Sequence, residues 1–592
     1  LQAGSMEVPL DNLLNMDTQI SDIIDFGGDN DGVANPGENI NLTIDIINES
    51  MELIPSNSTI SVSADYEGIE ILEEQVFNDI DIPVGGEYGA LIPINIDNDI
   101  SLGDITLNIT LNCDYVDNYS NELTYTKTFQ RIFEVSLYQF GYPYILDSQV
   151  ISSPAVIDLD GDDINEVIFG DFNGMLHVVD QEGNPRPGFP FDMGDQIWGS
   201  PAVADIDHDG DIEIVVCSKN KRILVLNSDG SEQFEYNTGQ FLVGTPALGN
   251  IDDDDDLEIL VGGYSGSNKL YAMNPDGSHV NGFPLELGEK MKAGVALADF
   301  NGNGKVDIVI GTNDENIYLI YDNGVIADGF PFEGDGDFQS EPIILDINGE
   351  KTIYAGSKDG TLYAINQFGE EIFSLETSDD VMASPSILEL DGFGPIIFFG
   401  NDDGELYAVD SNGSILNGWP LIFDSDIVSS PLFSDFDSNG SAELVIATND
   451  GSLHVIGLDN SSYSSSPFQY SFSYTGNAHI VDFDSDGDLE IFCGTADGLN
   501  VFDIKEAGES FGYWSEFKGG LKRDSYYEST FSGLLMGDVN NDGSVNVFDV
   551  ITIVNYVLGE DENIDLSLAD MNSDGSIDVF DIILVVNYIL LS

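Results

Sequence analysis

An internal repeat constrains this chain more than any other feature. The string PAVIDLDGDDINEVIFG begins at Pro154, PAVADIDHDGDIEIVVC at Pro201 and PALGNIDDDDDLEILVG at Pro246. Related strings begin at Val295, Pro342, Pro385 and Pro431, and a divergent copy follows Asn477. The first loop positions are Asp158, Asp205, Asn250, Asp299, Asp346, Glu389, Asp435 and Asp482, so successive separations are 47, 45, 49, 47, 43, 46 and 47 residues by subtraction. Each copy carries an apolar stretch, a polar loop and a β-branched run such as Glu166-Val-Ile-Phe or Glu213-Ile-Val-Val. A turn and an alternating strand follow, as in Asp403-Gly-Glu-Leu-Tyr-Ala-Val, and several copies end on Gly-Phe-Pro or Gly-Trp-Pro, at Gly188, Gly282, Gly329 and Gly418. No helical period interrupts the region. The period is that of one four-stranded blade, so a mainly β fold with an eight-bladed β-propeller is expected, seven blades plus a stray motif being the alternative. A ring must pair its two ends, because an open sheet edge invites aggregation. Gly141-Tyr-Pro-Tyr144 and Gly512-Tyr-Trp-Ser-Glu-Phe517 are the two candidates for completing a mixed blade.

The loops carry the chemistry. Calcium takes six to eight hard oxygens at flexible geometry. A nine-residue loop supplies them from side chains at positions 1, 3, 5 and 9 and a carbonyl at position 7. Repeat one offers Asp158, Asp160, Asp162, Ile164 and Glu166; repeat two Asp205, Asp207, Asp209, Asp211 and Glu213. Repeat three offers Asn250, Asp252, Asp254, Asp256 and Glu258; repeat four Asp299, Asn301, Asn303, Lys305 and Asp307. Repeat seven offers Asp435, Asp437, Asn439, Ser441 and Glu443; repeat eight Asp482, Asp484, Asp486, Asp488 and Glu490. A lysine side chain at position 7 cannot be a ligand but its carbonyl can, so variability there fits a backbone ligand. From position 1 to the end of the following strand is 12 residues in these six repeats, but 10 from Asp346 to Gly356 and 11 from Glu389 to Gly400. Repeats five and six also lack the acid series and read as metal-free turns. The competing explanation, that Asp and Gly merely reverse the chain, does not account for six matched ligand sets of one length.

Composition agrees. The 592 residues include 108 acids against 16 bases, a formal net charge of -92. Such a chain repels nucleic acid and anionic membrane surfaces, so neither partner is expected. Hydrophobic residues at 42% exclude wholesale disorder, and the length calls for two to four domains. Cys113, Cys217 and Cys493 match no metal spacing and read as buried thiols. No apolar run is long enough to span a bilayer. No signal peptide is legible, and Leu1-Gln-Ala-Gly-Ser-Met6 reads as non-native, so a secreted or cell-surface location is inferred from calcium chemistry.

Over about residues 136–530 the repeats resemble the FG-GAP/VCBS family, bacterial relatives of the integrin α-subunit propeller. The resemblance implies calcium loops on one face and no single function, because the fold serves adhesion, ligand binding and, in some polysaccharide lyases, catalysis.

A second calcium grammar occupies 534–592. Asp538, Asn540, Asp542, Asn546 and Asp549 stand at positions 1, 3, 5, 9 and 12 of a loop with Gly543 at the turn and the Ser544 carbonyl at 7. Asp570, Asn572, Asp574, Ser576, Asp578 and Asp581 repeat it, and Asp at position 12 departs from the usual EF-hand Glu. Each loop leads into an amphipathic helix, with Val550, Ile551, Val554, Val557 and Leu558, then Ile582, Ile583, Val586, Ile589 and Leu590, as the apolar set. With Gly537-Asp-Val-Asn and Asn555-Tyr-Val-Leu-Gly, the pair resembles a type I dockerin, which implies two calcium ions and a cohesin partner. Its partner-reading positions are here Val547, Phe548, Val579 and Phe580, apolar where many dockerins carry hydroxyls. They either bind a partner or cap a neighbouring domain of the same chain.

Residues 7–135 lack the repeat. Alternating Ile40-Asn-Leu-Thr-Ile-Asp-Ile and Ile105-Thr-Leu-Asn-Ile-Thr-Leu point to an immunoglobulin-like β-sandwich. Asp29-Asn-Asp-Gly-Val-Ala-Asn-Pro-Gly-Glu38 resembles a segment of β-sandwich modules in large secreted bacterial proteins, and Asp29, Asp31 and Glu38 are a further candidate metal set beside a plain turn. In all, about eight calcium ions are expected.

None of His177, His208, His279, His454 and His479 sits in a nucleophile or HExxH setting. The sequence therefore points to a non-catalytic binding or scaffold protein, whose propeller takes a glycan or surface protein. The alternatives are a polysaccharide-active enzyme, which a cleft of basic and aromatic residues would favour, and the accessory portion of a larger secreted peptidase.

Overall fold

The computed structural model describes residues 14–25, 31–72, 82–98, 100–390, 394–463 and 466–530, and in the C-terminal segment 537, 539–540, 545–559, 564, 566–569, 571 and 576–591. The chain divides into two compact units, 1–140 and 141–592.

In the first unit, alternation builds two antiparallel sheets. Met16–Asp25, Asn39–Asn48, Glu87–Ile96 and Ile69–Ile71 form one; Pro55–Ala64, Gly103–Val116 and Glu122–Val135 form the other. Ile40, Leu42, Ile44 and Ile46 point to the same core as Ile105, Leu107, Ile109 and Leu111, with polar residues between them facing out.

Among its described residues the second unit contains eight successive sheets, I to VIII, one per sequence repeat, antiparallel except where a fifth strand pairs parallel in sheet V. Sheet II is typical: Ala202–Ala204, Glu213–Cys217, Arg222–Asn227 and Glu232–Asn237 lie side by side in chain order. Its second strand is buried along its whole length, which explains the unbroken β-branched run. Continuous apolar clusters join sheet I to II, II to III, III to IV and IV to V. Phe398 of sheet VI packs on Phe433 of sheet VII with ring centroids 4.8 Å apart. Phe483, Phe492 and Val501 of sheet VIII share a cluster with Val156, Val167 and Phe169 of sheet I, which brings the last sheet against the first.

The Gly-Phe-Pro signature makes the sheet-to-sheet contact. Gly188 and Gly282 hold positive φ (96° and 101°), and a Cβ on either would fall on the backbone carbonyl of Asp229 or Asn323 in the next sheet. Gly141 makes the same contact with Glu182 of sheet I. Accordingly Tyr144–Ile145, from before repeat one, is the fourth strand of sheet VIII, pairing Leu499 with Tyr144. The other closure candidate, 512–517, does not complete a blade. It begins a segment that lies along the innermost strands. Phe433 and Ile480 donate N–H to the Trp514 and Ser515 carbonyls, and Val203, Leu248, Leu297 and Ile344 donate to those of Leu521, Lys522, Asp524 and Ser525, at 2.8–3.0 Å. Innermost strands carry one edge with no neighbour of their own, so a polar backbone segment satisfies them where a further blade strand would not reach.

Helix α1 spans Val547–Val557, α2 Leu566–Ala569 and α3 Val579–Leu591. Their core is Val539, Ile553, Leu568, Ala569 and Val585. The expected apolar face is corrected here: Ile551, Val557, Leu558, Ile583 and Val586 are exposed, because the short helices bury one stripe centred on Ile553 and Val585. All three cysteines are buried and unpaired. Among the described residues no helix is long and apolar enough to cross a membrane.

Candidate metal centres

Each acidic loop joins the first and second strands of its sheet, so all lie at the same strand end. One hydrogen-bond grammar recurs in the six. The position-9 carboxylate is buried and accepts the N–H of position 2: Leu159 to Glu166 (3.0 Å), Ile206 to Glu213 (2.9 Å), Ile251 to Glu258 (2.8 Å), Phe300 to Asp307 (2.9 Å), Phe436 to Glu443 (2.9 Å), and Phe483 to Glu490. The side chain at position 5 accepts the N–H of position 7, Asp162 from Ile164, Asp209 from Asp211, Asp254 from Asp256, Asn303 from Lys305, Asn439 from Ser441 and Asp486 from Asp488, at 2.8–3.1 Å. These bonds fold each loop inward with its acids convergent.

Carboxylate oxygens gather within 4.8 Å of one another in five loops: Asp158, Asp160 and Glu166; Asp205, Asp207 and Glu213; Asp252, Asp254 and Glu258; Asp435, Asp437 and Glu443; Asp482, Asp484 and Glu490. At position 5, Asp254 joins its trio while accepting the Asp256 N–H, and Asp162, Asp209 and Asp486 accept the equivalent N–H. Repeat four has Asn at positions 3 and 5, and both oxygens of its shorter Asp307 accept hydrogen bonds, from Phe300, Asn301 and Asp322. Buried oxygens of Asp205, Asp207, Asn250, Glu258, Asp482, Asp488 and Glu490 accept no hydrogen bond. Orphaned oxygens of Asp205, Asp207, Glu258, Asp482 and Glu490 lie within these trios, a donor set that fits a hard cation. Burial pushes Glu166, Glu213, Glu258 and Glu443 up to about 7 and Asp307 to about 6. Glu490, crowded by Asp503 as well as buried, is raised too. The Lys305 side chain turns away to Asp253 of the neighbouring loop at 2.6 Å, leaving its carbonyl for the loop.

Sequence reasoning missed three partners of these loops. Arg186 reaches Asp160 and Glu166 from the place where other sheets carry Val280, Ala327 or Leu416. Asp503 and Lys505 form an ion pair beside loop eight. The third is the exit of the inner segment. Asp346, position 1 of repeat five, accepts from Tyr526 Oη (3.0 Å), Lys351 Nζ (2.7 Å) and Gly349 N (2.7 Å). Glu389, position 1 of repeat six, accepts from Ser529 Oγ (2.5 Å), Thr530 N (3.1 Å) and Thr530 Oγ1 (2.7 Å). Along the inner segment, buried Lys518 donates to the Val295 carbonyl and Arg523 to those of Pro154 and Pro201.

In the C-terminal pair, Asp549 and Asp581 are buried and accept the N–H of Asn546 and Asp578, each at 2.8 Å, while Asn546 and Asp578 cap the helices. Asn540 also donates its N–H to Asp549. Ser576 lies at the surface. Asp538, Asp542, Ser544, Asp570, Asn572 and Asp574 lie outside the described residues, as does Asp29. Asp31 accepts from Val33 N and the buried Glu38 from Asn35 N, which shapes a turn. Val547, Phe548, Val579 and Phe580 are 58%, 65%, 55% and 62% exposed.

Two family models match parts of the chain. Residues 536–590 match the family described as dockerin type I domain, and residues 250–310, loops three and four, match the FG-GAP-like repeat. No curated protein matches the chain. Among solved structures, BamB from Moraxella catarrhalis aligns at 16% identity and TM-score 0.41, covering 60% of this chain and 99% of its own. Quinohemoprotein alcohol dehydrogenase from Comamonas testosteroni aligns at 12% identity and TM-score 0.45, covering 61% and 76%.

Proposed function

We propose that this chain is a non-catalytic, secreted or cell-surface binding and scaffold protein held together by calcium. Its parts are an immunoglobulin-like sandwich, an eight-bladed FG-GAP-type propeller with calcium in six blades, and a C-terminal dockerin that docks to a cohesin. The dockerin-family match carries the reading. The exposure of Val547, Phe548, Val579 and Phe580 favours docking over capping, since a cap would bury them. The two apolar pairs occupy equivalent places in the duplicated halves, so either half presents the same patch.

The test is capture of the full chain on immobilised type I cohesins, in calcium and in chelator, with calcium counted by native mass spectrometry. Retention that chelator abolishes, with about eight ions bound, is expected. Failure to bind any cohesin in calcium overturns the docking assignment. A count below about four overturns the assignment of the blade loops.

A further inference from the structure

The chain has 16 basic residues against 108 acidic ones, and among the described residues eight of the lysines and arginines pair with a carboxylate. Lys351, Lys305, Lys505 and Arg186 are among them. Lys219, Lys221, Lys290 and Lys292 pair with no carboxylate among the described residues, and they are neighbours. Their sites are the turns between second and third strands, or the links between sheets, at the strand end opposite the acidic loops.

Aromatic rings take the place of acids beside them. Lys219 Nζ lies 5.1 Å from the Trp198 ring and 5.9 Å from Phe241; Lys221 Nζ lies 5.5 Å from Phe241, and Lys290 Nζ 5.6 Å from Tyr264. Phe172 stacks on Trp198 at 5.7 Å. The Gln196 amide oxygen accepts both Trp198 Nε1 (3.1 Å) and Lys219 Nζ (2.7 Å), which fixes ring and ammonium relative to each other. Tyr264 N donates to the Phe241 carbonyl at 2.8 Å, which ties the next sheet's ring to the row. Lys292 ends the row against Gln339 Oε1 at 2.9 Å. At the same strand end of sheets V to VII acids predominate: Asp380, Asp402 and Asp426 crowd together around one lysine, Lys358, which pairs with Asp380 at 3.6 Å, and burial with this crowding pushes Asp402 up to about 6. The basic and aromatic residues therefore form a bounded crescent over sheets I to IV, facing an acidic remainder.

We infer that this crescent binds an acidic polysaccharide, a chain of uronic acid units, with sugar rings stacked on Trp198 and Phe241 and carboxylates met by Lys219, Lys221 and Lys290. Half-exposed aromatic faces suit the C–H face of a pyranose, and ammonium groups without a carboxylate of their own supply the complementary charge. An acidic peptide would use the lysines but leaves the rings without a flat partner. Screening over about 8 Å at physiological salt confines the ligand's attraction to the crescent itself. This deepens the reading of the ring as a binding module and depends on neither the dockerin nor the ion count.

The experiment is affinity electrophoresis and calorimetry of the full chain, in calcium, with oligogalacturonate, a neutral glucan oligomer and polyglutamate. Binding of oligogalacturonate that weakens with salt is expected, with about tenfold loss in Trp198→Ala and in Lys219→Gln. Lys290→Gln, an exposed site at the far end, gives a second, milder loss should Trp198→Ala fold poorly. Lys127→Gln, in the first unit, leaves binding unchanged. Equal binding of the glucan, equal binding of polyglutamate, or wild-type affinity in both Lys219→Gln and Lys290→Gln overturns the assignment. Cohesin capture of the same variants is unaffected, so failure here is distinguishable from failure of the docking reading.

Discussion

Six blade loops and two exceptions begin from a position-1 oxygen donor, an acid in every case but Asn250, and dispose of their charge differently. In loop two, Asp205, Asp207 and Glu213 converge, and one buried oxygen each of Asp205 and Asp207 accepts no hydrogen bond. In sheet V, Asp346 faces Lys351 across the ladder and takes the Tyr526 hydroxyl; in sheet VI, Glu389 holds Ser529 and Thr530. The residues Tyr526–Ser529 pair parallel to Ile343–Ile347 and lead out at the strand end where the acidic loops lie. Repeats five and six are thus not simply decayed. Where the chain leaves the ring, protein donors meet these two acids, and on the proposed reading they stand where the other loops would take a cation. Charge neutralisation is the shared requirement; the neutralising partner is what differs.

The comparison breaks most visibly under chelation. Removing calcium leaves convergent carboxylates repelling one another, and each site at 1,000-fold excess over its Kd contributes about 4 kcal/mol. A fall in Tm of about 10 °C or more is expected by calorimetry in EDTA, and an unchanged melt would sink the metal assignment.

The next effect is a change of sign. Glu213→Gln removes a ligand in calcium and should destabilise by about 2–4 kcal/mol, but in chelator it removes a repelled buried charge and should stabilise. Asp346→Asn breaks an internal ion pair and should cost about 1–2 kcal/mol in both conditions. Denaturant melts with and without EDTA separate the two. Parallel behaviour of the two variants would abolish the distinction between the loops.

The smallest effect is on pH. In chelated protein Glu166, Glu213, Glu258 and Glu443 are raised by burial from 4.5 to about 7. A carboxyl raised on folding contributes its stability below the unfolded value and loses it as pH rises through the folded one. Metal-free protein should therefore lose stability between pH 4.5 and about 7. With calcium present the ions hold these groups ionised, and the slope should flatten or reverse. Melts across that window test this; equal slopes with and without calcium would count against it.

Much of this was legible in the linear order of residues because it is local. A ligand loop must assemble its oxygens within nine positions, so the acids, the 12-residue spacing and the tolerance of Lys305 at position 7 are all written in one short window. Alternation fixed which side of Ile40–Ile46 and Ile105–Leu111 faces inward. Gly141, by matching Gly188, marked one of two candidate closing strands, and the pairing of Tyr144 with Leu499 decided between them. Helical period alone did not choose the buried stripe of α1 and α3, because apolar residues stand on more than one face of each.

What the tertiary structure alone decided involves residues far apart. Arg523 meets Pro154 across 369 positions, and Glu389 holds Thr530 across 141. Neither end carries a motif that names the other. The same holds for the lysine and aromatic crescent, whose members look like scattered turn residues until the sheets stack. The repeat thus determined the blades and their acidic loops, since both depend on neighbours in sequence. Which segment lines the inner strands, which acids are met by protein instead of cation, and where sixteen bases can matter among 108 acids depend on packing between repeats, which no single window of the chain encodes.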